Sequence, residues 1–91
     1  MSVPVRVPTV LRHLAGGSAV VQGEGVTVGD VLRGLGADFA GLAASLMEPD
    51  GRLRRFINVF LDGEDVRYLL GLETRVKEGS EIVILPATAG G

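Results

Sequence analysis

The sequence contains no cysteine and a single histidine, and these two shortages exclude several kinds of chemistry. Without cysteine there can be no disulfide, no thiolate nucleophile and no zinc–thiolate site. Because His13 is the only imidazole, a metal site built from several histidines is excluded as well. We therefore expect neither a metal site nor a catalytic side chain of these types.

Long apolar runs and charge of one sign are also missing. The apolar run at residues 82–85 is far shorter than the roughly 20 residues that cross a bilayer. The chain does not open with a charged and then apolar leader. Acidic and basic residues are interspersed and the net charge is −2, so no basic block indicates a nucleic acid partner. We expect a cytoplasmic protein that binds neither membrane nor nucleic acid.

The residues that are present suit one small α+β domain. The chain has 91 residues, of which 46% are hydrophobic, enough for one core and too few for two domains. Residues 3–7 alternate valine with arginine or proline, which predicts a half-buried strand. Pro4 and Pro8 place that strand near an edge of its sheet or limit its ladder bonds to one side. A turn at 15–18 leads to a second strand at 19–22, and the glycines within 23–25 should end it.

Two helical patterns follow the hairpin. Thr27 is typical of a helix N-cap, and Asp30 three residues later makes a close variant of the capping box. The apolar residues after the cap recur at helical spacing and form one stripe: Val28, Val31, Leu32 and Leu35. Gly36 is a stop signal. Residues 39–47 keep the same spacing over a shorter helix, which the turn residues at 49–51 end.

The second half of the chain is mainly strand. Residues 55–61 are rich in β-branched and aromatic side chains and predict the strongest strand. A tight-turn pair, Asp62-Gly63, separates it from a short fourth strand at 64–67. Residues 81–85 form the last strand, and Pro86 closes it. The order of elements predicts a mixed sheet with one main helix packed on one face and a second short helix.

This order resembles the β-grasp fold of ubiquitin, and two segments resemble one family with that fold. Residues 84–91, which end in Gly-Gly, are similar to the ending of the ThiS/MoaD sulfur carriers, which serve thiamine and molybdopterin synthesis. Residues 55–67 are more specific and resemble the actinobacterial branch that supplies sulfur to a cysteine synthase. The opening residues 5–12 and the segment 46–49 also resemble that branch. The resemblance implies a β-grasp domain over residues 1–86 and a flexible tail over 87–91.

The resemblance implies a carrier rather than an enzyme. An activating enzyme related to ubiquitin-activating enzymes would adenylate the carboxylate of Gly91 and convert it to a thiocarboxylate. A cysteine synthase would use that sulfur, and a metalloprotease would release the cysteine. The carrier would bind no cofactor, because ATP, pyridoxal phosphate and metal would belong to these partners.

The physical demands of that chemistry agree with the tail. Gly91, preceded by Ala89 and Gly90, must thread into a partner's active site. Glycine lacks a Cβ and accepts backbone conformations that other residues cannot, so two terminal glycines make a narrow, adaptable tip. Burying a free carboxylate is costly, so the domain should leave the tail in water. A terminal Gly-Gly is also compatible with an ordinary frayed end.

A docking surface can be predicted from strand alternation. One face of the two last long strands should enter the core: Ile57, Val59, Leu61, Ile82 and Ile84. The opposite, open face would then carry Phe56, Phe60, Val83 and Leu85. Exposed apolar residues of this kind usually mark a partner site. A register shifted by one residue would instead bury them.

Other functions remain open at this point. The same carrier chemistry could serve molybdopterin or thiamine assembly. A ubiquitin-like protein modifier or a plain binding module would share the fold, although Lys77 is the only lysine on which such a modifier could build chains of itself. An enzyme is the least favoured reading, because Glu64 and Asp65 are turn residues with no evident base or metal beside them.

Overall fold

The computed structural model of the chain describes residues 1–87. Its strands are β1 (Ser2–Arg6), β2 (Val20–Glu24), β3 (Ile57–Leu61), β4 (Glu64–Asp65) and β5 (Ile82–Pro86). Two α-helices, α1 (Val28–Gly34) and α2 (Ala40–Leu46), lie between β2 and β3. Single turns or short runs of 3₁₀ helix occupy Thr9–Ala15, Leu35–Ala37, Val66–Tyr68 and Gly71–Glu73. No helix within residues 1–87 is long and apolar enough to cross a membrane.

The strands form one mixed sheet in the order β2-β1-β5-β3-β4. β1 pairs antiparallel with β2 and parallel with β5. β3 pairs antiparallel with both β5 and β4. The last strand, β5, therefore occupies the middle of the sheet.

Helix α1 begins at the predicted cap. The Thr27 hydroxyl accepts a hydrogen bond from the backbone N–H of Asp30 at 3.1 Å, and the Asp30 carboxylate accepts one from the Thr27 N–H at 3.4 Å. This reciprocal pair satisfies two N–H groups that have no partner within the helix. The predicted stripe is fully buried: Val28, Val31, Leu32 and Leu35. The helix tightens into the 3₁₀ turn Leu35–Ala37, which agrees with a stop near Gly36.

The core lies between the helices and one face of the sheet. All five residues assigned to that face are buried: Ile57, Val59, Leu61, Ile82 and Ile84. A shift of one residue would have exposed the whole set, so the predicted register is confirmed. The turn between β3 and β4 is confirmed too, because Asp62 and Gly63 both have positive φ, 50° and 87°, as a tight hairpin turn of this type requires.

β1 lies next to the edge strand, as its prolines predict, although it is bonded on both sides. Its pairing with β5 involves Val5 and Arg6 and begins only after Pro4, which has no N–H to donate.

The predicted end of β2 is wrong. The strand continues through Gly23 to Glu24. Gly23 is buried beneath α1, where an added Cβ would stand only 2.5 Å from the Val31 Cγ1. The glycine is there because helix and strand approach closely, and not because the strand stops.

Strands β1 and β5 differ from the predicted ranges by one residue at each end, and the bounds of β3 and β4 differ by more. β3 starts at Ile57, because residues 55 and 56 belong to the preceding turn. β4 ends at Asp65, whose side chain accepts a hydrogen bond from the Arg67 N–H and caps the 3₁₀ turn Val66–Tyr68. The capping carboxylate turns the chain out of the sheet two residues earlier than predicted.

Candidate functional site

The predicted reactive end, Gly91 with Ala89 and Gly90, lies outside the described residues, and its role and the tail boundary at 87 stay predictions. The base from which the tail starts is described. The backbone N–H of Ala87 donates to the Phe56 carbonyl at 2.7 Å, one pair beyond the last ladder pair, Ile57 with Pro86. The tail therefore starts beside the turn that precedes β3.

Three of the four predicted docking residues share one face of the sheet. The open face is the face turned away from the buried core. Phe60 on β3 stands directly opposite Val83 on β5, and Leu85 stands opposite Asn58. Phe60 and Val83 are half-buried and Leu85 is 45% exposed. We call Phe60, Val83 and Leu85 the sheet patch.

The fourth predicted docking residue, Phe56, lies apart from this set. It belongs to the turn before β3, and its residue surface is 66% exposed. The Arg55 guanidinium lies over its ring, 5.5 Å from the centroid, in the range of a cation–π contact. We call Arg55, Phe56 and Ala87 the tail-exit corner.

Charged residues that the sequence analysis did not select border the sheet patch on two sides. Arg6 pairs with Glu81 at 3.3 Å on the β1 side, and β1 places Arg6 directly beside Val83. Arg6 alternates with the buried Val5 and Val7, so the period-two pattern could have placed it on the open face.

The second border is a side-chain cluster around Arg67. Its guanidinium pairs with Asp65 at 2.7 Å and donates to the Asn58 side-chain oxygen at 2.7 Å. Asp65 stands opposite Phe60 in the ladder, and its side chain is only 10% exposed. Hydrogen bonds from the Arg67 side chain, and then from its backbone N–H, lower the pKa of the Asp65 carboxyl. Asp65 is thus more than a solvated turn residue. Its cap on the Arg67 N–H joins residues two apart and is a local pattern, whereas the bond from Arg67 to Asn58 depends on the fold of the hairpin.

The surface of the described domain is a flat sheet face rather than a cleft. Residues 1–87 form no pocket, and no three His, Asp or Glu side chains among them lie close enough together to hold a metal ion. The arrangement suits contact with another protein: a small apolar centre, a charged border, and a tail that starts at one end.

Comparison with known proteins identifies the family. A sequence model of the ThiS family matches residues 5–91. The chain belongs to the ThiS family.

Known proteins match the chain over its whole length. The chain is 43% identical to the sulfur carrier protein CysO of Mycobacterium tuberculosis strain H37Rv, covering all of both chains. It is 34% identical to the small archaeal modifier protein 3 of Haloferax volcanii, again covering all of both. The fold matches the crystal structure of the Amycolatopsis orientalis BexX/CysO complex with a TM-score of 0.88 and 44% identity, covering 98% of this chain and 99% of that one.

These comparisons confirm two predictions. The fold is the β-grasp fold, since solved CysO chains superpose on nearly the whole chain. The prediction of a carrier rather than an enzyme is confirmed as well, because the chain belongs to the ThiS family and its relatives include sulfur carrier proteins. In one such relative the carrier is seen in a complex with another protein.

Proposed function

We propose that this chain is a sulfur carrier for cysteine biosynthesis whose working group is the carboxylate of Gly91. The observation that carries the proposal is the 43% identity to CysO, which extends over the full length of both chains. The family match likewise includes the final glycine.

The proposed chemistry takes place at one carbonyl carbon. A carboxylate oxygen of Gly91 attacks the α-phosphorus of ATP, and pyrophosphate leaves. Sulfide or a persulfide sulfur then attacks the acyl carbon, and the bond to AMP breaks. Attack by sulfide gives the thiocarboxylate directly. Attack by a persulfide gives an acyl disulfide, and a thiol must then break its sulfur–sulfur bond, which frees the thiocarboxylate and leaves the thiol in a new disulfide. The carrier supplies the carboxylate, and the activating enzyme supplies ATP and every catalytic group.

Later steps would also use partner chemistry. The thiocarboxylate sulfur would bond to the β-carbon of O-phosphoserine or O-acetylserine on a pyridoxal phosphate-dependent cysteine synthase, and phosphate or acetate would leave. The Gly91 acyl group would move from this sulfur to the cysteine nitrogen, and a metalloprotease would then hydrolyse the resulting amide. Because Gly90 and Gly91 offer backbone atoms only, these partners must recognise the folded surface that delivers the tail.

The sheet patch is our proposed docking centre. Phe60 and Val83 form a cross-strand pair that is only half-buried by the domain itself. Aromatic residues at the centre of a contact, surrounded by polar groups, commonly carry much of the binding free energy. Here the borders are the Arg6–Glu81 pair and the Asp65–Arg67 pair.

The test removes the working group while keeping the fold. A chain lacking Gly90 and Gly91 should melt at the same temperature as the full chain, because no described contact is lost. It should support no ATP–pyrophosphate exchange with the host's activating enzyme. Normal exchange by the shortened chain would contradict the proposal.

The pathway is tested with a chemically prepared Gly91 thiocarboxylate. Offered to the cysteine synthase with O-phosphoserine or O-acetylserine, it should give a chain heavier by one cysteine residue at Gly91, seen by intact mass. Efficient transfer of sulfur to a molybdopterin or thiamine thiazole precursor, with no cysteinyl product, would instead assign the same carrier chemistry to one of those pathways.

A second candidate is a protein modifier, and the identity to small archaeal modifier protein 3 favours it. A modifier would join Gly91 to lysine side chains of other proteins. Mass spectrometry of proteins captured from the host would then show Gly-Gly remnants on their lysines. Lys77 is the only lysine of this chain and is exposed, so Lys77→Arg would remove every self-linked form through lysine.

A further inference from the structure

The tail-exit corner carries an inference that rests on the proposed function and concerns the activating enzyme. The corner is fixed at the place where the tail starts. Ala87 is bound to the Phe56 carbonyl at 2.7 Å, and the Arg55 guanidinium lies 5.5 Å from the Phe56 ring centroid. The Phe56 ring restricts the positions of the Arg55 guanidinium before any partner binds. Arg55 would therefore lose less side-chain entropy on binding than a free arginine.

Arg55 is also the uncompensated charge of its segment. Arg52 pairs with Asp50 at 2.8 Å, and Arg54 pairs with Glu48 at 3.2 Å. Among residues 1–87, by contrast, no carboxylate forms an ion pair with Arg55. Two of the three nearby charges are thus neutralised within the domain, and the third is presented beside the start of the tail.

The length of the tail brings this corner close to any enzyme that uses Gly91. Four residues, 88–91, follow Ala87. Even fully extended they span at most about 14 Å. An enzyme that holds the Gly91 carboxylate in its active site must therefore place the mouth of that site against the tail-exit corner.

The charge of Arg55 sets the chemistry of this contact. Its guanidinium has no ion-pair partner among residues 1–87, so the complementary group on the enzyme is an anion beside the mouth of its site. We infer that Arg55, held over Phe56, binds an acidic side chain at the mouth of the activating enzyme's adenylation site. Arg55 acts as a positioning residue, and the partner surface that it fits is a carboxylate beside an apolar face that covers Phe56.

The test measures ATP–pyrophosphate exchange by the host's activating enzyme as a function of carrier concentration. Arg55→Glu should raise the KM for the carrier more than about tenfold, because like charges across a contact repel strongly. Arg55→Ala should raise it less, and Arg55→Lys should recover most of the loss. The kcat at saturating carrier and the melting temperature should stay unchanged, because neither the tail nor the core is altered. The KM of the wild type should rise with salt more steeply than that of Arg55→Ala.

Arg52→Glu is the matched control. It changes the net charge by the same amount, at an exposed site three residues away, and its KM should stay near the wild-type value. Equal KM values for the wild type and Arg55→Glu, or an equal rise for Arg52→Glu and Arg55→Glu, would overturn the inference and leave the carrier function standing. Absence of exchange with the wild type would overturn the proposed function, and this inference with it.

Discussion

At the scale of single residues, β3 separates side chains that pack in the core from Phe60, which faces the open side of the sheet. Its neighbours Val59 and Leu61 are buried in the core, whereas the Phe60 ring faces the other way and is half-buried beside Val83. A core phenylalanine would be explained by folding alone. A half-exposed one at the centre of a sheet face is better explained by contact with another protein.

Replacing Phe60 by alanine should therefore affect binding more than folding. We expect a loss of unfolding free energy below about 2 kcal/mol, since complete burial would make this substitution cost roughly 3–5 kcal/mol. Affinity for the activating enzyme should fall by about tenfold or more, as for an aromatic at the centre of an interface. Urea unfolding and a binding titration measure the two effects separately.

Two other variants serve as controls for Phe60. Ile84→Ala, on the buried face of β5, should cost roughly 2–5 kcal/mol of unfolding free energy. Val26→Ala removes an exposed apolar side chain near the cap of α1 and should change neither quantity. A Phe60→Ala protein that is as unstable as Ile84→Ala, yet binds normally when folded, would show that the sheet patch is not the docking centre.

At the scale of elements, the close contact between α1 and β2 depends on a missing side chain. Gly23 lies in β2 under the helix, and an added Cβ would come within 2.5 Å of Val31 Cγ1 and 3.3 Å of the Val31 carbonyl oxygen. The Val28 N–H donates to the Thr74 carbonyl at 2.9 Å, which ties the start of that helix to another segment, so the helix cannot move away from β2 without straining this bond. The strand and the helix fit only because residue 23 is glycine.

Gly23→Ala should destabilise the protein by about 1–3 kcal/mol, the usual cost of overpacking a filled core. Gly36→Ala is the comparison, because its Cβ would meet Ala43 at 3.5 Å, an ordinary contact, and its φ is not positive. That second change should alter the unfolding free energy by less than about 0.5 kcal/mol. Equal stabilities of the two variants in urea would show that the helix can move away from β2.

At the scale of the whole molecule, the lowered pKa values of three aspartates make the free energy of unfolding depend on pH. The pKa of Asp30 is lowered chiefly by the Arg33 side chain, that of Asp50 by the Arg52 backbone N–H, and that of Asp65 by the Arg67 side chain. A lowered pKa in the folded state means that the unfolded chain binds more protons in acid. The contribution is present above the ordinary value of 3.8 and is lost as the pH falls through the lower folded values.

The urea midpoint should therefore decrease as the pH is lowered below about 4. A triple variant with asparagine at positions 30, 50 and 65 should start from a lower midpoint at pH 7 and show a shallower decrease in acid. Circular dichroism in urea at several pH values measures both. An equally steep decrease in the triple variant would mean that other carboxyl groups cause the loss of stability in acid.

Interactions between near neighbours in the chain were readable from the sequence. The capping box, the stripe on α1, the Asp62-Gly63 turn and the alternation in β3 and β5 each depend on residues only a few positions apart. Such contacts form in the same way wherever the segment lies in the fold, so their residue types are a sufficient signal. The order of elements, and through it the β-grasp fold, followed from them, and the resemblance of the ending pointed to Gly91.

Only the tertiary structure showed the contacts between residues that lie far apart in the sequence. The sequence pattern predicts that Gly23 ends a strand. A glycine that ends a strand and a glycine that makes room for a packed helix cannot be distinguished from the neighbouring residues alone. The return of Arg67 to Asn58, and the bond that ties Ala87 to Phe56 beneath Arg55, join residues whose spacing follows no period. Those contacts depend on how the sheet and its turns are assembled, and no local pattern specifies that assembly.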